Sequence, residues 1–332
     1  MTVRTSLTPR RGTAGNLFAV LCGAALLVGA CSSSDDDAAS TGAPAGDETV
    51  STEATGSVAP DETAATTVGP DTAGTDTAGS TPAVAGDPTA FPVTFDTMFG
   101  ETVVETLPER IVSVGYTEGD LILALGVTPV AIRDWYGDQP GGLWPWAADA
   151  PAAQAGEIEV LPAAEINFEQ IAALDPDVIF GIGSGMVQAD FDKLSEIAPV
   201  VAQSDDYNVF GTPWDVAQLM IGQALGLEPE AQALVDDVNA QFAAAVEAYP
   251  DWQGMSGTVS AVGEDETIGV FTDGDNRGHM LTQLGFVIPP EITEIAGESF
   301  YAQISAEQIS LIDNDLLVYI VPAADRDHLL DA

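Results

Sequence analysis

INFEQIAALDPDVIF (Ile166–Phe180) and ISAEQISLIDNDLLV (Ile304–Val318) align without a gap, matching at Ile166/Ile304, Glu169/Glu307, Gln170/Gln308, Ile171/Ile309, Asp175/Asp313 and Asp177/Asp315. Each copy reads as a capped helix running into a buried strand: Asn167 or Ser305 precedes a helical pattern, and an apolar run follows the second aspartate. A unit repeated this far apart implies two similar half-molecules. Between the copies lies EPEAQALVDDVNAQFAAAVEAYP, in which Leu234, Val238, Phe242, Val246 and Tyr249 share one helical face, with Pro229 near its start and Pro250 past its end. About 22 residues at ~1.5 Å each reach roughly 33 Å, enough to cross between two lobes.

Around the first copy the pattern is strand, helix, strand. RIVSVG (Arg110–Gly115), EGDLILALG (Glu118–Gly126) and PVAIRD (Pro129–Asp134) precede it; a helix at ADFDKLSEIA, a strand at PVVAQ and a helix at WDVAQLMIGQALG follow. Short β-branched runs alternating with helices that end at Gly or Pro indicate a parallel sheet covered by helices. The expected fold is α/β: two Rossmann-like lobes joined by a single long spanning helix. The lobes are expected over 91–227 and 251–332, with the helix over 228–250.

Upstream of residue 91 the chain has a different character. Arg4, Arg10 and Arg11 precede a charge-free stretch from Leu17 to Ala30, which is too short to cross a bilayer and reads as an export signal over 1–30. Gly29 and Ala30 stand before Cys31, in the manner of a bacterial lipobox, in which the signal is cut before a cysteine whose thiol then carries lipid such as palmitate. The alternative is an ordinary secretory signal with an incidental cysteine. Residues 31–90 are built almost wholly from Ser, Thr, Ala, Gly, Asp, Glu, Pro and Val, without Lys or Arg, and read as a disordered tether. Cys22 falls in the signal, so the mature chain keeps one cysteine and no internal disulfide.

The formal charge of −44 excludes a class of partner. Nucleic-acid binding needs a basic face to displace counterions, and after Cys31 the only basic residues are Arg110, Arg133, Lys193, Arg277 and Arg326.

The lipobox, PERIVSVGYTEGDLILALGVTPVAI, RDWYGDQPGGLWPWA, the 166–180 segment, DNRGHMLTQLGF and the 304–318 segment together resemble the periplasmic-binding-protein family of iron-siderophore ABC transporters, in its actinobacterial lipoprotein form. The resemblance implies two lobes, a shallow cleft between them, and delivery of a ferric siderophore to a membrane permease driven by an ATPase. It implies no enzymatic step and no cofactor, iron arriving only inside the siderophore. A monomer anchored by lipid on the extracytoplasmic face of the cell membrane would follow. Sister groups carry haem or cobalamin, and a cell-surface sensor or enzyme on the same scaffold is the alternative from another class. An enzyme needs a placed nucleophile, base or cofactor loop; GIGSGM (Gly181–Met186) lacks the lysine of a phosphate loop and reads as a turn at the cleft edge. The family's second lobe normally runs on beyond the segment matching Leu316–Leu330, so the resemblance also implies a chain cut short at Ala332.

A large, flat-faced and often anionic chelate calls for aromatic surfaces and guanidinium groups. Candidate ligand contacts are Arg133, Trp135, Tyr136, Trp144 and Trp146 in the loop after a strand, with Tyr116 and Arg277; aromatics packing beneath the loop and arginines in surface ion pairs are the competing readings. His279 and His328 are the only histidines, which leaves no set of imidazoles for direct metal capture. In the family an acidic residue at each lobe tip pairs with permease arginines, and Asp190 and Glu307 are the candidates here.

Overall fold

The computed structural model describes residues 2–7, 86–135, 139–262 and 267–321, all within one compact unit. Cys31, the tether up to residue 85 and Tyr136 lie outside the described residues.

After strand β1 (Thr2–Leu7), a hairpin of β2 (Val93–Thr97) and β3 (Gly100–Val104) buries Val93, Phe95 and Val104. The first lobe then alternates β4 (Ile111–Ser113), α1 (Glu118–Ala124), β5 (Ala131–Arg133), the short helices α2 (Pro145–Ala148) and α3 (Pro151–Gln154), and β6 (Glu159–Leu161). It continues with α4 (Phe168–Ala173), β7 (Val178–Gly181), α5 (Gln188–Ser195), β8 (Val200–Ala202) and α6 (Trp214–Ala224). The five strands form a parallel sheet in the order β6-β5-β4-β7-β8. Every residue of β4, β5, β7 and β8 is buried, because helices cover both faces. Ile122, Val178, Phe180 and Ile221 pack on one face, and Val112, Ile171, Ile179 and Leu194 on the other.

Helix α7 (Glu228–Ala248) is the predicted connector. Its first half lies on α6, where Gly222 leaves no room for a side chain: a Cβ there would come within 2.3 Å of the Ala231 Cβ. Its far end passes into a turn in which Tyr249 stacks on Trp252 at 4.3 Å, and Trp252 packs on Phe286 in the second lobe.

The second lobe contains β9 (Gly257–Val262), β10 (Ile268–Phe271), α8 (Asn276–Gln283), α9 (Pro290–Ala296), β11 (Tyr301–Ile304) and β12 (Leu316–Val321). Its sheet, in the order β1-β12-β9-β10-β11, is mixed. β12 runs parallel to β9, whereas β10 is antiparallel to both its neighbours and β1 antiparallel to β12. Five residues separate β9 from β10, which suits an antiparallel return and is too short for a parallel crossover.

The repeat has a physical basis. The Asp177 carboxylate accepts the Glu109 and Arg110 N–H groups at 2.8 Å, and its counterpart Asp315 accepts the N–H and hydroxyl of Ser256 at 3.0 Å. Each aspartate thus ties the start of one strand, β7 or β12, to the start of its parallel neighbour, β4 or β9. The helical parts differ from the expectation of two like helices. The second copy is a 3-10 helix over Ala306–Ile312, and its tighter winding turns Ile309 outward, 56 % exposed, while the matching Ile171 is fully buried on α4.

Candidate functional site

Because the first sheet is parallel, the carboxyl ends of its strands all open on one side, where ligand-contacting loops gather in α/β proteins. Those loops face the second lobe. Trp214 donates its N–H to Asn276 Oδ1 at 2.9 Å, Asn276 Nδ2 donates to the Thr212 carbonyl at 3.2 Å, and the Trp214 indole donates to Gln283 Oε1 at 3.3 Å. Beside this polar seam the Phe210 ring meets Phe300 edge-on at 5.7 Å. Phe210 has φ +63°, and Gly185 (φ +66°) makes room for it: a Cβ on Gly185 would come within 2.3 Å of the ring. GIGSGM is therefore a cleft-edge turn, closed by the Ser184 hydroxyl donating to the Gly181 carbonyl at 2.8 Å.

Phe210 and Phe300 are the centre of a series of rings across the lobes. Tyr116 lies 6.4 Å from Phe210, Tyr301 lies 4.8 Å from Phe300, and Phe271 lies 6.5 Å from Tyr301. An arginine stands at each end: the Arg133 guanidinium is 4.2 Å from the Tyr116 ring centre and that of Arg277 is 3.6 Å from Phe271. Residues chosen from different stretches of sequence, Tyr116, Arg133 and Arg277, thus belong to one band. Phe210 and Phe300 were not singled out from the sequence; both lie in irregular segments between elements, with no periodicity to mark them.

The two arginines are held differently. Arg133, 8 % exposed, donates to the Ala163 carbonyl through Nε (3.1 Å) and Nη2 (2.8 Å), and through Nη1 to those of Val114 (3.1 Å) and Ser184 (3.2 Å). Tyr116 also donates to the Ala163 carbonyl, at 3.1 Å. Arg277 forms a two-pronged pair with the buried Asp275, Nε to Oδ1 at 2.7 Å and Nη2 to Oδ2 at 2.6 Å. Asp275 also accepts the Arg277 N–H at the start of α8.

The tryptophans of the loop take unequal positions. Trp144 is 9 % exposed beneath Trp146, stacked at 4.9 Å; Trp146 is 48 % exposed and donates its indole N–H to Asp120 at 2.8 Å. Trp135 is half-buried. Among the described residues no hydrogen-bond partner reaches the buried indole nitrogens of Trp135 and Trp144 or the buried Thr212 hydroxyl. His279, on α8, has its Nδ1 3.1 Å from Asp273. Asp190 accepts the Val187 N–H at the start of α5, and Glu307 is exposed on the 3-10 helix.

Glu118, another residue that sequence reading passed over, is fully buried at the start of α1. Its carboxylate accepts the Gly183 N–H at 2.7 Å and the Thr117 N–H at 3.1 Å, and the N–H groups of Glu118 and Ile182 also favour its charged form. Burial outweighs these donors and holds the carboxyl above the ordinary glutamate range. The same cause raises Asp120, partly offset by Trp146. Glu118 occupies the space a side chain on Gly115 would need, since a Cβ there would come within 1.9 Å of its oxygen.

Two shallow indentations lie among these loops. One, with a volume of about 0 Å³, is lined by Val114, Arg133, Glu165 and Ile166 among others; the second, of about 10 Å³, by Met98, Ser184, Gly185 and Val209 among others. Neither encloses a drug-sized ligand by itself, which requires about 300 Å³ or more. Both are lined by first-lobe residues alone. Among the described residues no three His, Cys, Asp or Glu side chains gather to hold a metal ion, and no helix is long and apolar enough to cross a membrane.

A periplasmic binding protein family model matches residues 111–328. The ferric-anguibactin-binding protein FatB of Vibrio anguillarum is 26 % identical over 264 residues, covering 73 % of this chain and 75 % of FatB. Among solved structures, a periplasmic solute binding protein of Mycobacterium smegmatis is 33 % identical with a TM-score of 0.62, covering 72 % of this chain and 81 % of that one. Streptococcus pneumoniae PiaA in complex with ferrichrome is 28 % identical with a TM-score of 0.63, covering 72 % of this chain and 82 % of PiaA.

Proposed function

The chain belongs to the periplasmic binding protein family, and on that premise we propose that it captures a ferric siderophore between its lobes, outside the cytoplasm, and delivers it to an ABC importer permease. The observation that carries this reading is the group of partly exposed rings Tyr116, Phe210, Phe300 and Tyr301, which offers a flat chelate apolar faces from both lobes. FatB and PiaA, whose names or bound ligands are siderophore complexes, support it. The full chain titrated with ferric siderophores should show quenched tryptophan fluorescence, since Trp135, Trp144 and Trp146 in the loop after β5 are proposed to line the cleft, together with a raised melting temperature. Haem or cobalamin acting where every ferric chelate fails would reassign the ligand, and silence from all of them would remove the import reading.

The protein is proposed to act as a monomer held to the membrane by lipid on Cys31, with residues 1–30 removed and β12 left as the edge of the second-lobe sheet. Fatty-acid label should appear in the wild type and be absent from Cys31→Ala; equal label in both refutes the anchor. Asp190 and Glu307 are proposed to meet arginines of the permease. The pair Asp190→Lys and Glu307→Lys should abolish siderophore uptake at unchanged affinity, and a parallel loss of affinity would move these residues from docking to the cleft or the fold.

A further inference from the structure

The sequence suggests an anionic ligand met by Arg133 and Arg277, but in the structure Asp275 neutralises Arg277 and backbone carbonyls take the donors of Arg133. We propose instead that the cleft selects uncharged or cationic ferric chelates and turns away polyanionic ones, an inference that rests on the siderophore reading. Arg277 is matched by Asp275 in a two-pronged pair, so the unit presents no net charge to a ligand. Arg133 is buried with its donors turned to three backbone carbonyls, and the nearby indentation it lines also holds Glu165.

The other two basic side chains among residues 86–321 are also committed within the first lobe. Arg110 donates to the Leu174 and Asp175 carbonyls, and Lys193 lies 4.6 Å from the Phe168 ring centre. Against these stand the carboxylates of the cleft loops. Asp134, Glu165, Asp205 and Asp206 follow strands of the first sheet; Asp273 and Glu298 occupy the facing loops of the second lobe, and all but Asp134 are exposed. The chain as a whole carries −44. An anionic chelate approaching this surface is repelled at long range and must then shed water beside carboxylates, whereas a neutral one is spared and a cationic one attracted.

The test uses the full chain and three probes: a neutral ferric trishydroxamate, a ferric trishydroxamate with a protonated pendant amine, and a trianionic ferric tris-catecholate. Affinities are measured by fluorescence quenching at low and high salt. Both hydroxamates should bind, the cationic one more weakly as salt rises. The tris-catecholate should bind about a hundredfold more weakly than the neutral probe and improve with salt, because screening removes repulsion. A tris-catecholate that binds as tightly as the neutral probe, or whose affinity falls with salt, overturns the charge selection and leaves siderophore capture standing. Failure of all three probes removes the siderophore reading and this inference with it.

Discussion

Glu118→Leu should lower the melting temperature by about 10 °C or more, because leucine fills the site of the carboxylate and accepts none of its hydrogen bonds. The N–H groups of Thr117 and Gly183 lose the partner that binds them at 3.1 and 2.7 Å, in a place where the residue they enclose is fully buried. The Glu118 and Ile182 N–H groups lose a favourable neighbour as well. An orphaned buried donor costs about 1–3 kcal/mol, so the total is of the order of 3–6 kcal/mol. Glu118→Gln should cost less, since one carbonyl oxygen remains, although its amide then faces donors. The outcome contradicting this role is a leucine variant that melts within about 2 °C of wild type.

The same carboxylate carries a pH signature. Its folded-state pKa lies above the ordinary value of 4.5, so the native chain binds the proton more readily than the unfolded one. Its contribution to stability is fully present below that ordinary value and is lost as pH rises through the raised one. Asp120 acts in the same direction. Melting temperature should therefore rise from neutral pH towards the ordinary carboxylate range, and Glu118→Gln should flatten that rise more than the exposed Glu169→Gln does. Equal slopes in the two variants would assign the effect to the general repulsion of an acidic chain.

How far the sequence disclosed this molecule depended on how local each determinant is. The cap, helix, aspartate and strand of 166–180 lie in one stretch, and its repeat at 304–318 identified the two lobes because Asp177 and Asp315 perform the same tie between parallel strands. That alignment did not disclose that Ile309 is exposed, since the exposure follows from a 3-10 winding that no matched letter records. The arginines were legible by rarity in an acidic chain, but their partners were not. Arg277 is answered by Asp275 two residues away, whereas the carbonyls that bind Arg133 belong to three other loops. Glu118 was hidden for the same reason: it looks like any acidic residue in a first helical turn, and its burial depends on a loop 65 residues distant. The Phe210–Phe300 contact, made between lobes, leaves no pattern in either segment.

Arg133→Lys should abolish siderophore binding almost as completely as Arg133→Met, a loss of about a hundredfold or roughly 2.7 kcal/mol in each. The reason is geometric. One planar guanidinium at the end of β5 holds the carbonyls of Val114 after β4, Ala163 after β6 and Ser184 after β7, while Tyr116 rests against its face and shares the Ala163 oxygen. Four strand ends of the parallel sheet are thereby fixed relative to one another, and the loops they launch carry Tyr116 and, through Gly185, seat Phe210. Lysine keeps the charge but offers a compact ammonium that cannot serve three diverging carbonyls in one plane. Loss of stability should accompany loss of binding, of the order of 2–4 kcal/mol in the methionine variant, since buried carbonyls are left without donors. Hydrogen exchange separates this role from a direct charge contact. Amides in 114–117, 162–165 and 183–186 should exchange faster in both variants before any ligand is added. If Arg133→Lys binds like wild type with exchange unchanged, the residue acts through its charge alone, and the loops hold their places without it.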